Sequence, residues 1–222
     1  MIKAVIFNLD GVLVNTDECH YQSWKRLAYE QGINLTPEVY KKIAGRKRLE
    51  SLKMLLKKAE RSYSPGELWA LSARKNDLFN DRIDRLNQDS ILPGAMETVK
   101  KLRRAGIKTA VASSSENAEG ILKQLKIYSF FDAVVDGQEI DQGKPDPEAL
   151  LTAARKLQMP TCDCLVVENT LAGMEAAQQA GMKAVKVGGT VLELEDDAEP
   201  PSLQIVNLPE YIQKLDQEMI HS

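Results

Sequence analysis

The run Lys3-Ala-Val-Ile-Phe-Asn-Leu9, stopped by Asp10-Gly11, decides how this 222-residue chain is read. Its apolar residues are nearly unbroken and rich in β-branched and aromatic types, the pattern of a strand buried on both faces, and Asp-Gly is a turn signal. The next run of that kind, residues 107–112, comes only after a long stretch with a helical rhythm. Residues 21–30, 48–58 and 65–86 carry apolar side chains at three- and four-residue spacing and are rich in Leu, Ala, Lys and Glu. After Pro93-Gly94 the elements alternate. Helices are expected at 95–104, 118–125, 147–157 and 171–180, and strands at 107–112, 133–135, 164–167 and 183–187. Such alternation implies right-handed crossovers and a mostly parallel sheet. The expected architecture is α/β: a Rossmann-like core formed by 1–14 and 92–222, with a helical cap, 15–91, inserted after the first strand. The acidic segment 193–199, followed by Pro200-Pro201, reads as a surface loop.

Composition narrows the partners. Lys plus Arg (29) against Asp plus Glu (32) leaves a net charge of −3. That lacks the basic excess that phosphate-backbone contacts need, so no nucleic-acid partner is expected. No apolar run approaches the roughly 18 residues of a membrane span, and the opening residues turn polar too soon for a signal peptide. Cys19, Cys162 and Cys164 are too few for a disulfide scaffold, and no histidine cluster joins them for zinc, so Cys162 and Cys164 are expected to pack. A monomer of the reducing cytoplasm is the expectation. The basic run 41–61 reads mostly as a solvated helix face, with Arg48 and then Lys47 as the candidates for a cleft.

In an open α/β sheet, ligands bind beyond the carboxyl ends of the strands. Four polar clusters fall there: Asn8-Leu9-Asp10-Gly11-Val12, Ser113-Ser114-Ser115 with Asn117, Lys144-Pro145-Asp146-Pro147, and Glu168-Asn169-Thr170. Any one alone reads as a turn or a helix cap. Four, each following a strand, read as a site.

In this order, F-x-x-D-G-V-L, S-S after a strand, G-K-P-D-P and V-E-x-T-x-x-G resemble the haloacid dehalogenase-like phosphohydrolase superfamily. The narrower resemblance is to its β-phosphoglucomutase group, through Thr16, His20 and Trp24, Gly45-x-x-Arg48-x-x-Ser51-Leu52, and Ala73-Arg74-Lys75-Asn76. The resemblance implies Mg²⁺-dependent interconversion of hexose 1-phosphate and 6-phosphate through an aspartyl phosphate and a bisphosphate. Position 8 would then carry the nucleophile, and Asp10 would be the general acid/base. Position 8, Asp10, Glu168 and position 169 would hold Mg²⁺ through oxygen. Ser113 and Lys144 would bind the transferring phosphoryl group, and Thr16 and His20 would complete the catalytic set. Arg48 would grip the non-reacting phosphate with Ser114 and Asn117, because its planar fork suits phosphate. Trp24, Gly45, Ser51 and Lys75 would complete the sugar-phosphate site.

The departures bear on the chemistry. Asn8 stands at the nucleophile position and Asn169 at a metal position, while Ala44 stands before Gly45 where the group usually has Lys. A neutral carboxamide is a poor nucleophile, and two lost negative charges weaken a hard-cation site. Three functions remain open: a β-phosphoglucomutase-like protein rendered inactive by Asn8 and Asn169, a catalytically silent sugar-phosphate binder, and a small-molecule phosphatase of the same superfamily.

Overall fold

The computed structural model describes residues 1–59, 61–188, 203 and 207–220; the segment 193–201, read from sequence as a surface loop, lies outside them. The first strand, β1 (Ala4–Phe7), is buried along its whole length. Four helices follow it: α1 (Asp17–Glu30), α2 (Pro37–Ile43), α3 (Arg48–Leu56) and α4 (Pro65–Ile83). The chain then alternates through α5 (Ala95–Arg104), β2 (Lys108–Ala112), α6 (Ala118–Gln124), β3 (Ala133–Val135), α7 (Glu148–Leu157), β4 (Cys164–Glu168), α8 (Leu171–Gln179) and β5 (Lys183–Lys186), ending in α9 (Leu208–Ile220).

The strands form one all-parallel sheet of order β3-β2-β1-β4-β5, with β1 central. Ala4 pairs with Lys108 on one side and Cys164 on the other. Strand side chains alternate between faces. Val5, Phe7, Val111, Leu165 and Val167 accordingly enter one core, padded by α5, α6 and α9. Ala4, Ile6, Ala110, Ala112, Cys164 and Val166 enter the other, padded by α7 and α8. The chain runs outward from β1 to β2 and β3, then returns to β4 on the far side of β1. The switch point, and with it the crevice, falls at the carboxyl ends of β1 and β4.

The inserted helices have a third core of their own, built on Trp24, Leu27, Tyr40, Ile43, Leu52 and Leu55. Phe79 and Ile83 of α4 turn the other way and join the first sheet core. Local signals set the helix ends. Ser64 and Glu67 make a reciprocal capping box ahead of α4, with Pro65 in its first turn. The segments entering and leaving the insertion lie side by side: Asn15 N–H donates to Ser90 O (2.8 Å) and Leu92 N–H to Leu13 O (2.9 Å).

Two helices escaped the periodicity reading. The seven residues of α2 are too few for a repeat, although Thr36-Pro37 is a start signal and the Thr36 side chain does cap the helix. The apolar residues of α9, Leu208 and Ile212, lie one helical turn apart and complete the first core. Of the two cysteines expected to pack, Cys164 is buried in β4 but Cys162 is exposed in the turn before it. No described helix is long and apolar enough to cross a membrane.

Candidate functional site

The floor of the crevice is made where three strands end. Asn8 follows β1, Ser113 follows β2, Glu168 closes β4, and Lys144 comes from the β3–α7 connection; all four are buried. Lys144 Nζ donates to Asn8 Oδ1 (3.2 Å) and is ion-paired with Glu168 Oε1. The other Glu168 oxygen accepts the backbone N–H groups of Asn169 and Thr170 (2.8 Å each) and the Thr170 hydroxyl (3.0 Å). The Asn8 amide donates to Asp10 O (3.2 Å) and to Asn169 Oδ1 (3.0 Å). Buried polar groups are costly unless paired. Here each finds a partner, so the floor is a closed hydrogen-bond network.

Above it, between the sheet and the insertion, lies a cleft. Asp10 points into it and accepts the Thr16 hydroxyl at 2.5 Å. His20 Nε2 lies 3.4 Å from Asp10 Oδ1, and Lys75 Nζ lies 2.9 Å from His20 Nδ1. A neutral imidazole that accepts from Lys75 and donates to Asp10 satisfies all three groups. Burial alone would raise the Asp10 carboxyl, but His20, Thr16 and Lys75 outweigh it and hold the group at about 2. Burial, then Lys75, pushes His20 below its ordinary value. Burial, then repulsion from Arg48, brings Lys75 down to about 7. His20 stacks on Phe79 (ring centroids 4.0 Å apart), and the Lys75 ammonium sits 4.4 Å from the Phe79 centroid and 5.1 Å from that of Trp24. These aromatic faces stabilise a buried cation.

The insertion closes the cleft from above. Gly45 has a φ of +77°, and a β-carbon there would lie 2.6 Å from the Thr170 hydroxyl, so only glycine allows this approach to the floor. Arg48, at the start of α3, donates to Ser72 Oγ (3.2 Å), to Asn76 Oδ1 and to Glu116 Oε2. Asn117 also donates to Asn76 Oδ1, at 3.1 Å. Ser114 Oγ accepts from Lys144 N–H (3.2 Å). Ser51 lines the cleft and donates its hydroxyl hydrogen to Ile43 O (2.8 Å), closing the loop before α3. One expectation about the cleft needs correcting. Lys47 does not line it: its ammonium reaches Ile140 O (2.5 Å), and Arg46, paired with Glu50, lines the cleft instead.

Sequence reading missed Asp17 and Glu116. Asp17 looks like an ordinary acid in the first turn of a helix. In the structure it is buried, and its Oδ2 accepts from Asn169 Nδ2 (3.1 Å). Burial, with Asp10 and Glu168 nearby, pushes its carboxyl up to about 7. Glu116 reads as a loop residue beside the serines; its signal was its place between Ser115 and Asn117.

A parallel sheet with a helical insertion after its first strand, and these four motifs converging at the switch point, defines the class. The family model described as haloacid dehalogenase-like hydrolase matches residues 2–181, and the chain belongs to that family. Its sequence is 40% identical over 189 residues to "Beta-phosphoglucomutase" of Bacillus subtilis (strain 168), covering 84% of each chain. A crystal structure of β-phosphoglucomutase from Clostridium difficile superposes over 100% of both chains with a TM-score of 0.86 at 31% identity. "Phosphorylated carbohydrates phosphatase" of Thermotoga maritima is 29% identical over 197 residues, covering 88% of each chain.

This family typically depends on Mg²⁺. The residues of this chain do not fit that ion as they stand. The oxygens it would need, on Asn8, Asp10 O, Glu168 and Asn169, already accept hydrogen bonds from Lys144, the Asn8 amide and backbone N–H groups. Among the described residues, no group of three or more His, Cys, Asp or Glu side chains is placed to hold a metal.

Proposed function

We propose that this chain is a β-phosphoglucomutase-like protein that binds a hexose phosphate between the insertion (15–91) and the core (1–14 and 92–222), with phosphoryl transfer slow or silent. The relatives support the substrate class. One observation carries the loss of turnover: the Asn8 amide hydrogen-bonds Asp10 O and Asn169 Oδ1, while its oxygen is held by Lys144. With aspartate at position 8, a carboxylate oxygen would attack phosphorus and the P–O bond to the sugar would break; the leaving oxygen would be protonated through Asp10, with the proton that Asp10, ionised in the free cleft, takes from the sugar hydroxyl that attacks the aspartyl phosphate. Asn8 lacks that anionic oxygen, so the covalent step falls by several powers of ten, each worth about 1.4 kcal/mol of barrier. Ser113 and Lys144 hold the phosphoryl group in this reading. Thr16, His20 and Lys75 set the charge and aim of Asp10, and Trp24, Gly45, Ser114 and Asn117 bound the sugar. Mg²⁺ binds weakly.

The test is conversion of glucose 1-phosphate to glucose 6-phosphate, with Mg²⁺ and a bisphosphate primer, by the native chain and by the Asn8→Asp/Asn169→Asp variant. The variant should turn over and the native chain should not. Robust turnover by the native chain, with intact mass excluding aspartate at position 8, would refute this. Free phosphate measured in the same assay separates transfer from hydrolysis, the reaction named for the Thermotoga relative.

A further inference from the structure

Two guanidinium groups line the cleft at the entry to α3, and they differ in what they have left to give. All three nitrogens of Arg48 are engaged: Nε with Ser72, Nη1 with Asn76 and Nη2 with the Glu116 carboxylate of the β2–α6 loop. Arg46 is tied along one edge. Its Nε donates to Lys42 O (3.0 Å) and its Nη1 to Glu50 Oε1 (2.6 Å), while Nη2 has no hydrogen-bond partner among the described residues. Glu116 lines the cleft and Glu50 does not. The Glu50 side chain is 40% exposed against 20% for Arg46, so this carboxylate braces its guanidinium from the solvent side.

The backbone holds Arg46 in place from both sides. Gly45 sits so close to the floor that a β-carbon there would lie 2.6 Å from the Thr170 hydroxyl. Lys47 rests on the core in turn: its ammonium reaches Ile140 O (2.5 Å), and a β-carbon on Gly143 would lie 2.9 Å from its backbone nitrogen. A cation pinned in this way binds with little further ordering cost. An anion reaching Arg48 must displace Glu116 or stand beside it. One reaching Arg46 displaces no protein group and finds the two N–H bonds of Nη2 unspent.

We infer that Arg46 is a ligand-binding residue that holds the non-reacting phosphate of a hexose bisphosphate, at the end of the cleft that Arg48 also borders. Glu116 then needs to release Arg48 only after the phosphate is already held. The inference rests on the sugar-phosphate reading above, and it supplies the cation through which the second phosphate enters.

The experiment is calorimetric titration of glucose 1,6-bisphosphate, in chelator, into the native chain, Arg46→Gln, Glu50→Gln and Lys42→Gln. Glu50→Gln loses the same ion pair but keeps the guanidinium, so it reports any damage to the loop. Lys42 is exposed and does not line the cleft, so its substitution removes the same charge outside the site. A partly exposed pair of this kind contributes little to stability, so the variants fold. Arg46→Gln should weaken binding by about tenfold or more, the scale of one charge-assisted hydrogen bond. Each control should weaken it by less than about threefold, because solvent and salt screen exposed charges. Unchanged affinity in Arg46→Gln, or a loss matched by either control, overturns the inference and leaves the sugar-phosphate reading standing. Failure of the native chain to bind either the bisphosphate or glucose 1-phosphate overturns that reading, and the inference with it.

Discussion

Replacing Asp17 with Asn should stabilise the protein, by an amount that depends on pH. The Asp17 carboxyl is buried beside Asp10 and Glu168 and is pushed up to about 7 from 3.8. In the unfolded chain it ionises near pH 4; in the folded chain it stays protonated until about pH 7. Below pH 4 both states hold the proton and the group is neutral to stability. Between about pH 4 and 7 the unfolded state alone gains by ionising, so stability falls as pH rises, then levels off. Three units at about 1.4 kcal/mol each put the full cost on the order of 4 kcal/mol at pH 8, and about 1.5 kcal/mol at pH 5. The substitution preserves the acceptor, since an amide oxygen at this position can still take the Asn169 Nδ2 hydrogen at 3.1 Å. Urea unfolding of the native chain and Asp17→Asn, at pH 5 and pH 8 in chelator, reads the difference. A gain that is the same at both pH values, or a loss at pH 8, would refute the reasoning.

Two further outcomes test the packing. Gly173→Ala puts a β-carbon 2.0 Å from Glu168 Cδ, and that carboxylate is held in place by Lys144 and by the backbone N–H groups of Asn169 and Thr170. It should cost about 1–3 kcal/mol as overpacking, read from the urea midpoint. Leu55→Ala hollows the core of the insertion and should cost about 2–5 kcal/mol. Hydrogen exchange should then quicken in α1–α4 while the β1 amides keep their protection.

The sheet was legible because β1, β2 and β4 are buried on both faces and read as apolar runs, and because helices fall between them at regular intervals. The four strand-end clusters were legible because topology alone brings them together. What escaped were relations between distant residues. Nothing local marks Asp17 as facing Asn169 across 152 positions, or Glu116 as the partner of Arg48 across 68. Lys47 and Arg46 are neighbours of one type, and which of them faces the cleft depends on the turn at Gly45 rather than on composition.

The side-by-side entry and exit of the insertion bear on how the chain assembles. β1 is the first strand made, yet its partners begin at Lys108 and Cys164, so it waits unpaired while α1–α4 form from contacts closer in sequence. Once Leu13 and Leu92 are tied, the path from Phe7 to Lys108 shrinks from about 100 residues to about 22, lowering the loop-closure cost by about 1 kcal/mol. The insertion thus acts as a splint, drawing β1 and β2, two inner strands of the future sheet, together before they pair.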